Sequence, residues 1–104
     1  RDPARPTTLK TRVVAHSQHV VRFDYEQRGP VGAAVRRRLH GFLADRVGRV
    51  DGVIVSDYAK GLVSRSLMRR LLGARGRRFV AVDPKVPNMD LYRGVTIVTP
   101  NRKE

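Results

Sequence analysis

Apolar positions along this chain of 104 residues fall into two periods. Over residues 7–15 and 18–25 the β-branched and aromatic residues Leu9, Val13 and Val14, then Val20, Val21, Phe23 and Tyr25, are interleaved with polar ones, as in strands exposed on at least one face. A short polar turn, His16-Ser17-Gln18, separates the two runs, so they are expected to pair as a hairpin. Gln27-Arg28-Gly29-Pro30 ends that pattern, because Gly-Pro interrupts regular structure. From Val31 to about Val47 the period changes. Val35, Leu39, Phe42, Leu43 and Val47 recur at helical spacing, with Arg36, Arg37, Arg38, Asp45 and Arg46 elsewhere on the wheel, which predicts an amphipathic helix stopped by Gly48. A strand at residues 50–55 follows. A second helix is expected from Ser64 or Ser66 as N-cap through Leu67, Met68, Leu71 and Leu72, with Gly73 or Gly76 as its stop. Strand 78–82, a connector carrying Pro84, Pro87 and Asp90, and strand 95–99 complete the series. Strands alternating with helices imply right-handed crossovers and a parallel sheet with helices on its faces. The predicted fold class is α/β, in one unit: a hairpin over 7–25 and alternating helix and strand units over 31–104.

Charge narrows the partners. With 22 Lys and Arg against 9 Asp and Glu, the formal net charge is +13. That balance raises nucleic acid or an anionic surface as a partner. The basic residues are nevertheless mostly arginines spread through every element, and runs such as Arg36-Arg37-Arg38 and Arg69-Arg70 fall where helices show a solvated face. Three Tyr, three Phe and no Trp provide few stacking platforms for single strands. Neither nucleic acid nor a membrane is therefore expected as a partner. Without Cys there is no disulfide or thiolate zinc site, and His16, His19 and His40 lack metal-ligand spacing. The sequence contains no apolar run long enough to span a bilayer and no signal-peptide core, so a cytoplasmic location is the expectation.

Three strand ends carry the candidate chemistry. Val53-Ile54-Val55 opens into Ser56-Asp57-Tyr58-Ala59-Lys60-Gly61, Phe79-Val80-Ala81-Val82 into Asp83-Pro84-Lys85, and Val95-Thr96-Ile97-Val98 into Thr99-Pro100-Asn101-Arg102-Lys103-Glu104. Open α/β sheets bind ligands at the carboxyl ends of their strands, so polar residues there are candidates for a site. Asp57 either projects into that crevice or bonds neighbouring amides as a turn residue. Lys60 is placed to pair with Asp57 or to approach a phosphate, and Gly61 to supply backbone freedom. Lys85, stiffened by Pro84, is a candidate phosphate-binding cation or a solvated loop lysine. Asn101 and Glu104 have the spacing of a helix-capping pair as well as that of two polar ligands. Lys10 and Arg12, two residues apart, share one face of the first strand and suit an anionic group or an exposed surface.

The ordered set S-D-Y-A-K-G, V-D-P-K and T-P-N-x-x-E resembles the middle of a ribokinase-like sugar kinase of the phosphofructokinase B type. Arg5-Pro6-Thr7-Thr8-Leu9-Lys10-Thr11-Arg12-Val13, Arg22-Phe23-Asp24 and Tyr92-Arg93-Gly94 make it most similar to the heptose 7-phosphate kinase domain of ADP-heptose synthesis. The resemblance implies part of a three-layer α/β/α sandwich, ATP and Mg²⁺ as cofactors, a sugar phosphate as substrate and a homodimer in the full-length parent. It also implies roles for single residues. Asp57 and Lys60, with Lys10 and Arg12, would bind the sugar phosphate; Lys85 would bind phosphate; Asn101 and Glu104 would act through water on the nucleotide's magnesium. The family's acceptor-activating Asp sits in a glycine-rich G-A-G-D type motif, and neither Gly32-Ala33-Ala34 nor Gly73-Ala74-Arg75-Gly76 is followed by that Asp. The catalytic residue is thus expected outside this chain, which begins with Arg rather than Met and reads as a central fragment, a truncated product or an excised segment, inactive alone. Another sugar specificity within the family and a non-catalytic basic interaction module are the alternatives.

Overall fold

The structure, a computed structural model, describes residues 2–101. It begins with the expected hairpin: β1 (Leu9–Ala15) pairs antiparallel with β2 (Gln18–Tyr25). His16 and Ser17 form the tight turn between them, both in the left-handed region with φ of 48° and 64°, as a turn that follows the twist of its strands requires. All residues of both strands are exposed. The hairpin projects from the remainder, which accounts for a radius of gyration of 16.5 Å where a compact chain of this length would have about 13 Å.

The remaining elements are α1 (Ala33–Arg46), β3 (Gly52–Ser56), α2 (Arg65–Ala74), β4 (Phe79–Asp83) and β5 (Ile97–Val98). A 3-10 turn, Val47–Arg49, closes α1, and a longer 3-10 stretch, Val86–Tyr92, fills the connector between β4 and β5. Ser64, rather than Ser66, caps α2: its Oγ accepts the Leu67 amide at 3.3 Å. Gly76, at φ 57°, turns the chain after the helix, whereas Gly73 lies inside it. The last strand is shorter than the apolar run predicts, because Thr96 and Thr99 bond to β4 outside the regular ladder. The Thr96 Oγ1 accepts the Val80 amide at 2.9 Å, and the Thr99 amide donates to the Val82 carbonyl at 2.9 Å.

The parallel sheet has the order β3-β4-β5, with Val53 beside Val80, Val55 beside Val82, and Val82 beside Val98. These valines lie on one face, against Met68 and Leu71 of α2, Val47 and Tyr92, all four of them at most 3% exposed. The intervening row, Ile54, Ala81 and Ile97, lies on the other face, where Ile54 is 75% and Ile97 50% exposed. The α/β class and the hairpin match the sequence expectation, and the described residues build two layers, with helices on one face, as part of the implied three-layer sandwich would. Helix α1 forms where the periodicity predicts it, although none of its residues is fully buried and Phe42 is 58% exposed. It reaches the core through Leu43 and the following Val47; Val35 and Leu39 are half-buried and α1 packs against α2, so that Phe42 alone of its apolar stripe is exposed. Among the described residues no helix is long and apolar enough to cross a membrane.

One-sided burial has a direct test. Met68→Ala removes a fully enclosed side chain from the α2–sheet contact and is expected to cost about 2–5 kcal/mol. Ile54→Thr, which keeps β-branching on the open face, is expected to change stability by less than about 0.5 kcal/mol. Urea unfolding of both variants checks the pair of values, and equal losses would mean that both faces are covered.

Candidate functional site at the carboxyl edge

Because β3, β4 and β5 run parallel, the segments that leave them emerge at one edge. Ser56 lies beside Asp83 and the Asp57 amide donates to the Asp83 carbonyl at 2.9 Å, so the exits of β3 and β4 are joined. Thr99 fixes the exit of β5 through the Val82 carbonyl, which its amide and hydroxyl both contact. Asp57, Lys85 and Asn101 therefore stand at the same edge, as expected from their places after apolar strands. Lys85 is half-buried behind a fully buried Pro84, and Asn101 is exposed. Glu104 lies outside the described residues, so its pairing with Asn101 has no structural counterpart here.

Asp57 is the most constrained of the group, at 2% exposed. A buried carboxylate needs donors, and three converge on it. The Ala59 amide donates to Oδ1 at 2.9 Å, the Asn88 side-chain amide to Oδ2 at 2.7 Å, and the Tyr92 hydroxyl also to Oδ2. Asp57 thus closes its own turn and ties it to the connector that follows β4. Burial, and then the bond to Asp57, push the Tyr92 hydroxyl well above the usual phenol range, so Tyr92 stays a protonated donor. With both oxygens engaged by the chain, the Asp57 carboxylate shapes the edge from beneath instead of presenting itself to a ligand.

The turn that Asp57 closes is strained. Ala59 has φ 53°, unusual for a residue with a Cβ, and Gly61 has φ 83°. A Cβ at Gly61 would lie 1.5 Å from the Gly29 carbonyl oxygen, so the loop after β3 touches the loop after β2 backbone to backbone. The freedom expected of Gly61 is required twice, by its dihedral and by this approach. Lys60 does not pair with Asp57. Its Nζ lies 2.6 Å from Glu26 Oε2, and Arg28 Nε lies 2.8 Å from the other oxygen of the same carboxylate. Lys60 and then Arg28 depress the Glu26 carboxyl from 4.5 to about 2.

Lys10 and Arg12 sit on one face of β1, opposite Asp24 and Arg22 of β2, and Arg22 and Asp24 form a surface ion pair at 3.0 Å. They belong to the hairpin and not to the strand-end cluster. Among the described residues no group of three or more His, Cys, Asp or Glu is placed to hold a metal ion. Sequence reasoning missed Glu26, Asn88 and Tyr92. Asn88 and Tyr92 carry a faint signal, a four-residue spacing within the connector; Glu26 carries none, since its partner Lys60 belongs to a different loop, far along the chain.

No family model matches the chain. It is 45% identical over 105 residues to the bifunctional protein HldE of Geobacter metallireducens, covering 99% of this chain and 21% of that protein. It is 46% identical over 108 residues to the HldE of Rhodopseudomonas palustris strain BisA53, and 38% identical over 105 residues to that of Helicobacter pylori strain J99. The chain spans about a fifth of the length of these relatives.

Two outcomes are expected. Tyr92→Phe leaves Asp57 Oδ2 short of one donor in a buried place and should cost about 1–3 kcal/mol in chemical denaturation; an unchanged midpoint would show that the buried carboxylate does not depend on the hydroxyl. For Glu26, whose folded carboxyl is depressed, the sign is that of a group stabilising the fold above its unfolded value of 4.5, with the contribution lost as pH falls through about 2. A carbon-detected NMR titration should place the Glu26 midpoint near 2, and a midpoint at the ordinary carboxylate value would mean the ion pair is not formed in solution.

Proposed function

We propose, from the homology of this chain to a segment of the bifunctional HldE proteins, that it forms the central part of an ATP-dependent sugar kinase acting on heptose 7-phosphate, in the supply of ADP-heptose for lipopolysaccharide core synthesis. The observation that carries this reading is the joint exit of three parallel strands, which brings Asp57, Lys85 and Asn101 to one edge. It is supported by 38–46% identity to relatives over nearly the whole chain.

Phosphoryl transfer asks the protein chiefly for positioning and for charge that neutralises the transferring group. In this reading Lys85 contacts the transferring phosphate, its backbone directed by the buried Pro84. Asn101, together with Glu104, hydrogen-bonds waters around the nucleotide's magnesium, which when bound offsets the charge of the phosphates. Lys10 and Arg12 of the hairpin contact the phosphate already on the sugar, with Lys60 nearby. Asp57, held by Tyr92, Asn88 and the Ala59 amide, keeps the loop on the sugar side in shape. The proton acceptor for the sugar hydroxyl would come from the glycine-rich Asp motif that these 104 residues lack, and the chain by itself is expected to show no turnover. The enzyme would work in the cytoplasm as a homodimer.

A chimera tests the reading. The matching stretch of the Geobacter metallireducens relative is replaced by this chain, and ADP release is followed with ATP, magnesium and heptose 7-phosphate. The chimera is expected to turn over, and Lys85→Ala within it to lower kcat/KM on the order of 10²-fold. A folded chimera without kinase activity, or one indifferent to Lys85→Ala, would remove the assignment.

A further inference from the structure

Among the described residues the hairpin's polar ties to the rest of the protein gather at its root, where interactions converge on two residues, Lys60 and Gly61. Lys60 Nζ meets Glu26 just beyond β2 at 2.6 Å. The Lys60 carbonyl accepts Arg5 Nη2 from the segment before β1 at 2.9 Å, and the same guanidinium bonds the Gln27 carbonyl after β2. The Gly61 carbonyl accepts the Val31 amide at 3.2 Å, and the Gly61 α-carbon packs on Gly29 with no room for a side chain. Both ends of the hairpin are thereby fastened to the loop that Asp57 closes. The fastening is polar and adjustable, because no apolar side chain of the hairpin is buried against the parallel unit.

We propose that Lys60 and Glu26 are positioning residues, forming a latch that fixes the attitude of the hairpin relative to the carboxyl edge and couples it to the conformation of the Asp57 loop. The latch gives Lys60 a different occupation from phosphate binding. Its head group is committed to a carboxylate already shared with Arg28, and its main chain is committed to Arg5. Geometry alone supports the latch. In the kinase reading it has a further consequence, resting on that reading: the distance of Lys10 and Arg12 from the edge would be set by Lys60.

The absence of Cys makes the chain suited to a spin-label test. Labels on cysteines introduced at Val20, exposed near the hairpin tip, and at Arg70, exposed on α2, report the hairpin attitude by pulsed electron resonance. The parent is expected to give one narrow distance distribution. Lys60→Met should lose it for a broad one while circular dichroism remains that of a folded protein, and Lys60→Arg, which keeps the ion pair, should restore it. A folded Lys60→Met variant with the parent's narrow distribution would overturn the latch. If that variant does not fold, Glu26→Gln, of the same shape without the charge, replaces it: a broad distribution supports the latch and a narrow one overturns it. The readout involves no substrate, so failure of the kinase assignment and failure of the latch are separate results.

Discussion

A carboxylate buried at 2% exposure is the constraint on which the carboxyl edge depends. Left alone, Asp57 would be among the most costly groups in the molecule, because a buried polar group without donors carries its full desolvation cost. The three donors come from two segments: its own turn, through Ala59, and the connector after β4, through Asn88 and Tyr92. Satisfying one side chain therefore sets the position of both. The left-handed Ala59 is tolerated because its amide is held by Asp57, and the 3-10 course of Val86–Tyr92 places Asn88 and Tyr92 on the same carboxylate.

From that anchor the organisation spreads outward by steps of decreasing strength. The valines of β3 and β4 and the apolar face of α2 form a dry core on one side of the sheet. The Asp57 network seals its end. Beyond it the loop after β3 is joined to the hairpin root by backbone contact at Gly29 and Gly61 and by the ion pairs of Glu26. The hairpin itself contributes no buried apolar surface, and its orientation depends on those polar fastenings. The carboxyl edge thus faces a hairpin held through a few charged groups and backbone contacts.

Much of the fold was legible in the sequence because each element announces itself locally. Alternation gave the hairpin, the Leu67-Met68-Leu71-Leu72 spacing gave α2, and the three apolar runs gave a parallel sheet whose exits share an edge. What local pattern does not carry is cover. Ile54 and Ile97 look as buried as Val53 and Val98, and Phe42 looks as core-facing as Leu43, because a periodicity states that a face is apolar without stating what lies against it. The site was half legible for a similar reason. Asp57, Lys85 and Asn101 follow from strand ends, whereas the partners that decide what Asp57 and Lys60 do, Tyr92, Asn88 and Glu26, are joined to them only by the tertiary path of the chain.

That ligands meet this protein at the carboxyl edge of β3-β4-β5 is tested most directly by amide NMR of the labelled chain titrated with magnesium, a nucleoside triphosphate and heptose 7-phosphate. Shifts are expected to be confined to residues 57–61, to Lys85 and Asn88, and to residues 99–101, with smaller changes on the β1 face that carries Lys10 and Arg12. Saturable shifts at the opposite edge, over residues 48–51 and 75–78, with the carboxyl edge unmoved, would contradict it.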